Sequence, residues 1–149
     1  MPMSTPEAIK FEREIPQVLS QFGAAHGAVQ AAADASGLPR AIYHLIQLRA
    51  SQINGCAFCV KMHTREARQD GESDDRLDRL VVWRHVADFS PAERAALAWT
   101  EALTRVEDDT DYGALRAALR AHYDEAQLAA IASLAAMINL WNRLQVSKH

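Results

Sequence analysis

Apolar residues recur along this chain at three- and four-residue intervals, the spacing of one helix face. Val18, Leu19, Phe22, Ala25 and Val29 form such a stripe after Pro16. Gly37-Leu38-Pro39 ends it, glycine stopping one helix and proline able to open the next. From Pro39 to Asn54 the stripe is Ile42, Leu45, Ile46 and Ile53, and Asn54-Gly55 breaks it because both residues tolerate the left-handed conformation. A third helix is predicted from near Cys56 to about Gln69, stopped at Asp70-Gly71. Ser73-Asp74-Asp75 caps a further segment through Leu77, Leu80 and Val81. Ser90-Pro91-Ala92-Glu93 has an N-cap serine, a first-turn proline and a glutamate placed for a capping box. The helix it opens holds Ala96, Leu97, Trp99, Thr100 and Leu103. Asp108 to Asp111 reads as a loop or cap. A short helix to about His122 and a long last helix from about Asp124 to Leu144 complete the chain. No segment alternates β-formers with polar residues. The expectation is an all-α fold, a compact multi-helix bundle in which residues 1–149 make one domain.

Composition supports this picture. Of 149 residues, 49% are hydrophobic and 23% charged, the balance of an ordinary globular domain. Alanine leads the apolar set, which favours helix over strand. A chain of this length buries a core without disulfide staples. The net charge of -3 comes without a clustered basic patch, which argues against a nucleic-acid surface. Leu128 to Trp141 is nearly apolar but is broken by Ser133 and Asn139. It falls short of the ~20 apolar residues of a spanning helix, so it reads as a core helix and not as a membrane segment. Met1 to Glu14 shows charges where a secretory signal needs an apolar stretch. A cytoplasmic location is expected.

The two cysteines stand three positions apart, in Asn54-Gly55-Cys56-Ala57-Phe58-Cys59, with His63 four residues on. A reducing cytosol disfavours a structural disulfide, and so short a loop would stabilise little, so chemistry explains the pair better than architecture. Cys56, Cys59 and His63 fall at i, i+3 and i+7 of a helix start and share one face. A helix N-terminus favours a thiolate. His63 can serve as base toward the nearer thiol, Cys59, and a second cysteine can resolve a sulfenic acid. Cys56, at the helix tip, is expected to be the more exposed thiol. Two other readings use the same side chains: a metal-binding module, although a structural zinc site needs four ligands, and a non-catalytic oligomer that uses the pair as a redox sensor.

The stretch Leu48-Arg49-Ala50-Ser51-Gln52-Ile53-Asn54-Gly55-Cys56-Ala57-Phe58-Cys59, with His63, resembles the core motif of the alkyl hydroperoxidase D-like (AhpD-like) family, within the carboxymuconolactone decarboxylase superfamily. Phe89-Ser90 with Glu93 to Thr104, and Ile138 to Leu144, also resemble it, so the likeness spans roughly residues 38 to 144. It implies an all-helical fold, assembly into trimers or hexamers, and a peroxidase that reduces hydroperoxides with a cysteine pair. By motif position it implies Cys59 as the peroxidatic cysteine, Cys56 as the resolving one and His63 as the proton-relay base. It implies no metal, haem or flavin, and an electron donor that is a thiol or dithiol, in some members a lipoylated protein. Superfamily members that decarboxylate a lactone lack the pair. At the position of the family's relay glutamate this chain has His44, which can pass protons but brings no fixed negative charge. Glu66 and Glu101 are the candidate substitutes for that carboxylate.

The remaining histidines, His26, His85, His122 and His149, have no ligand-like spacing to the cysteines and read as surface or capping residues. Trp83, Trp99 and Trp141 read as core or interface anchors, with Trp83 a candidate lining of an access channel. Phe58 points off the Cys–His face and is expected to pack. Asp74-Asp75 and Asp108-Asp109 suit caps and loops. The alanines from Leu128 to Met137 suit close helix packing.

Overall fold

The computed structural model describes residues 7–148; His149 and residues 1–6, part of the charged N-terminal stretch, lie outside the described residues. Among the described residues the regular elements are all helical: α1 (Phe11–Glu14), α2 (Pro16–Ala35), α3 (Arg40–Asn54), α4 (Ala57–Gln69), α5 (Asp74–Arg79), a 3-10 turn (Leu80–His85), α6 (Pro91–Arg105), α7 (Tyr112–Arg120) and α8 (Glu125–Val146). The expected boundaries hold to within a residue or two where a cap marks them. Ser90 and Asp124 each close a capping box, with Glu93 and Gln127. The one-turn α1 is additional to the expected helices, being too short for an apolar stripe to show, and the segment expected through Val81 is α-helical only to Arg79 and continues as the 3-10 turn.

The fold is organised around α3. Ile42 to Ser51 are all buried, so this helix has no solvent face. One side of it, through Ile42, Tyr43, Ile46 and Ala50, joins a core with Trp99 of α6 and Ile131, Leu134, Ala135 and Ile138 of α8. The other side, through Leu45 and Leu48, joins Ala67, Leu77, Leu80, Trp83, Phe89 and Leu97. The alanine-rich run of α8 is a core stripe, with Ala130 and Ala135 buried and Ser133 and Ala136 outside. No helix among the described residues is long and apolar enough to cross a membrane.

Polar contacts fix the end of α3 where α4 begins. Asn54 Nδ2 donates to Asn139 Oδ1 at 2.9 Å and to Asn142 Oδ1 at 3.0 Å, and Asn142 Nδ2 donates to Ser51 Oγ at 3.0 Å. Asn142 and Ser51 are fully buried, where unmet amide groups would be costly. The network therefore clamps the α3 terminus to α8. Gly55 then takes the left-handed turn at φ 67°, and Cys56 N–H returns to Ser51 O at 3.1 Å. That turn sets the position of the cysteine pair. On the opposite side, Tyr43 Oη donates to Asp34 Oδ1 at 2.7 Å, holding α2 against α3. Phe22 meets Trp141 edge to face at 6.2 Å, holding α2 against α8.

Candidate active site

Cys56 is the N-cap of α4, and Cys59 lies in its first turn. Their sulfurs are joined in a disulfide, with Cα atoms 5.3 Å apart, so the pair placed by spacing alone closes on itself. Cys56 Sγ also accepts the Cys59 N–H at 3.2 Å, one of the unpaired donors of the helix start. The expected exposure is not found. Cys56 is 0% exposed and Cys59 1%, because the Gly55 turn folds the helix tip back under α3 and α8. The sulfurs differ in what they border: Cys59 lines a cleft of about 250 Å³, and Cys56 does not.

That cleft lies between α2, α3, α4 and α8. Its walls include His26, Gln47, Phe58, Cys59, Met62, His63, Glu66 and Trp141. Cys59, His63 and Glu66 come from one face of α4 through i, i+4 and i+3 steps. His63 Nδ1 donates to Glu66 Oε2 at 3.1 Å, since a carboxylate only accepts. Nε2 is thereby left as the basic nitrogen, the same logic by which an acidic group orients a catalytic histidine. Burial pushes the imidazole below its ordinary pKa, and the Glu66 carboxylate opposes this without reversing it. His63 is therefore neutral near pH 7 and able to accept a proton.

Of the two candidate carboxylates, Glu66 faces His63 and Glu101 does not. Glu101 is buried beneath α6, where it accepts from Arg49 Nε at 2.9 Å, Trp83 Nε1 at 2.8 Å and Arg84 at 2.8 Å. Trp83 is thus a core anchor and does not line the Cys59 cleft. His44 shares no hydrogen bond with His63. Its Nε2 lies 2.6 Å from Asp70 Oδ2, at the C-cap of α4, and its Nδ1 is buried without a partner. Asp70 supplies the fixed negative charge that His44 alone lacks, and the Asp70 carboxyl lies below its usual range through hydrogen bonds from His44 and Arg40. His44, Asp70 and Glu66 border a second, polar cleft, so Glu66 lines both clefts.

Two expectations about neighbours are corrected. Phe58 is 57% exposed and forms a rim of the Cys59 cleft instead of packing. His26 is half-buried in a wall of the same cleft instead of standing free on the surface. Its Nδ1 accepts from Trp141 Nε1 at 3.2 Å. Nothing in the spacing around His26 signals this, because α2 reaches the site only through tertiary packing. His85 and His122 are exposed as expected. Among the described residues no three His, Cys, Asp or Glu side chains are arranged to hold a metal ion.

Comparison with known proteins agrees with the all-helical fold. The sequence profile of the carboxymuconolactone decarboxylase family matches residues 16–102. The uncharacterised protein YdfG of Bacillus subtilis is 38% identical over 112 residues, 75% of this chain and 76% of its own. A crystal structure from Agrobacterium tumefaciens, of unknown function and provisionally assigned as an AhpD antioxidant defence protein, superposes with a TM-score of 0.86. It is 36% identical and covers 96% of this chain and 95% of its own. The apo debrominase Bmp8 superposes with a TM-score of 0.76 over 89% of this chain and 69% of its own, and at 22% identity that likeness is one of fold. The chain belongs to the carboxymuconolactone decarboxylase family, among its AhpD-like members.

Proposed function

We propose that this protein is a cysteine-based hydroperoxide reductase in which Cys59 is the peroxidatic cysteine, Cys56 the resolving cysteine and His63 the base. Fold alone does not select a reaction, since a debrominase shares it. The observation that carries the reading is the asymmetry of the two cysteines: Cys59 and His63 line one cleft, and the fully buried Cys56 does not.

In the reduced protein His63 Nε2 takes the Cys59 thiol proton. The thiolate attacks the terminal oxygen of the hydroperoxide, the O–O bond breaks, and the alkoxide recovers the proton from His63. The products are a Cys59 sulfenic acid and an alcohol. Cys56 then displaces water from that sulfenic acid to form the disulfide. A dithiol donor, such as a lipoylated protein, restores the thiols by attacking Cys59 Sγ, the sulfur facing the cleft. Cys56 leaves as a thiolate that the α4 N-terminus stabilises. No metal or organic cofactor enters the scheme. A cytoplasmic site of action and assembly into a trimer or hexamer belong to the same proposal.

The test is consumption of cumene hydroperoxide with a dithiol as reductant. Cys59→Ser is expected to abolish turnover, and Cys56→Ser to retain a single oxidation. Wild-type turnover by Cys59→Ser would overturn the assignment. A redox sensor with the same disulfide predicts oxidation-dependent assembly and negligible turnover, so the same assay separates the two.

A further inference from the structure

We propose that His26 is a second catalytic residue, whose Nε2–H donates a hydrogen bond to the leaving oxygen of the hydroperoxide while His63 handles the thiol proton. This rests on the assignment of Cys59 as the peroxidatic cysteine.

The partners behind the two rings set their roles. His63 from α4 and His26 from α2 border one cleft of about 250 Å³. Each ring has its Nδ1 engaged, but the partners have opposite hydrogen-bonding character. Glu66 accepts only, so His63 Nδ1 holds the proton and Nε2 keeps a lone pair. The Trp141 indole N–H donates only, so His26 Nδ1 is an acceptor and the proton sits on Nε2. Trp141 is itself fixed by Phe22, edge to face at 6.2 Å. Among the described residues neither Nε2 has a protein partner, and neither is among the sealed, orphaned polar atoms. One cleft is therefore lined by two rings from different helices, one whose Nε2 keeps a lone pair and one whose Nε2 carries the proton. Burial also lowers the His26 pKa, against the pull of the Glu66 carboxylate, so the ring is neutral and takes the tautomer that Trp141 selects.

Hydroperoxide cleavage has a use for both groups. As Cys59 sulfur bonds to the terminal oxygen, the O–O electron pair passes to the oxygen bearing the organic group. The sulfur is oxidised by two electrons and the peroxide is reduced by two. Negative charge builds on the departing oxygen before the proton held by His63 reaches it. A neutral imidazole N–H aimed at that oxygen stabilises the charge without giving up its own proton, as donors in an oxyanion hole do. The balance stays thiol plus hydroperoxide to sulfenic acid plus alcohol. Trp141 is the positioning residue, because it excludes the tautomer that would present a lone pair.

The experiment uses the reduced full chain and two reactions of Cys59. Oxidation by hydroperoxide has a basic leaving oxygen, whereas alkylation by iodoacetamide expels iodide and needs no donor. His26→Phe is expected to slow oxidation by cumene hydroperoxide about tenfold or more and to leave alkylation unchanged. It should also make oxidation depend more steeply on the acidity of the leaving alcohol across a series of hydroperoxides. His26→Gln, which keeps an N–H donor, should recover part of the rate. Imidazole ¹⁵N shifts should report the Nε2–H form for His26, and Trp141→Phe should convert it to a mixture. Unchanged oxidation in His26→Phe overturns the proposal and leaves the Cys59 assignment standing. Equal loss of oxidation and alkylation overturns it in favour of a purely structural ring. An Nδ1–H form for His26 overturns it as well. Oxidation that persists in Cys59→Ser would instead defeat the assignment beneath it.

Discussion

Two of the regions in which the molecule buries polar groups differ in how completely those groups are paired. Beneath α6, Glu101 accepts from Arg49, Trp83, Arg84 and Arg105. Burial alone would raise its carboxyl, yet the donors from Trp83, Arg84 and Arg49 together hold it below the usual glutamate range. Arg84 also stacks on the Trp83 ring at 4.2 Å. Glu101 has nothing left to offer a substrate. In the Cys59 cleft the opposite holds. His63 and His26 each use Nδ1 to fix the ring and leave Nε2 open, and His44 keeps an unpartnered Nδ1 nearby. Saturated buried charge stabilises one arrangement, whereas open valences in the cleft that Cys59 lines leave room for chemistry.

Mutations can break that comparison in a definite order. The largest stability effect is expected from Glu101→Ala, which strands Arg49 as a buried, uncompensated cation. A loss of about 3 kcal/mol or more is expected in denaturant unfolding, with Cys59 alkylation unchanged in the fraction that stays folded. A large change in thiol reactivity would show that the two regions are coupled. Glu66→Gln acts the other way. It removes one charge-assisted hydrogen bond to a half-exposed group, so stability moves little. Alkylation of Cys59 at pH 7 should slow by up to about tenfold, the size of one such bond.

The smallest effect is a pH dependence of folding. Burial holds His63 below the ordinary imidazole pKa, so the native state binds fewer protons than the unfolded chain. Stability is full above the unfolded value of about 6.5. It declines as pH falls from there toward the lowered native value and is then constant. His63→Gln should flatten this slope in urea titrations of the reduced protein between pH 7 and pH 5. An unchanged slope would mean that His63 is solvated and not poised as described.

Much of the fold is legible in the sequence because caps are local. Ser90 with Glu93, Asp124, and Gly55 after Asn54 each mark a helix end through contacts within a few residues. Cys56, Cys59 and His63 are legible for the same reason, being one face of one helix. The illegible part depends on which helices meet. His26 enters the cleft because Tyr43 and Trp141 hold α2 against α3 and α8, and no spacing in the sequence encodes that. The exposure expected for Cys56 follows from its place at a helix tip. It fails because Ser51, Asn54, Asn139 and Asn142 draw that tip into the interior. The carboxylate partners of the histidines are half visible: Glu66 follows from an i+3 step on α4, while the pairing of His44 with Asp70 joins two helices.

The proposed chemistry turns on which sulfur meets the oxidant. One equivalent of cumene hydroperoxide added to the reduced Cys56→Ser and Cys59→Ser variants, with the sulfenic acid trapped by dimedone and located by mass spectrometry, decides it directly. The structure predicts rapid trapping at Cys59 in Cys56→Ser and little at Cys56 in Cys59→Ser. Faster trapping at Cys56 would contradict it.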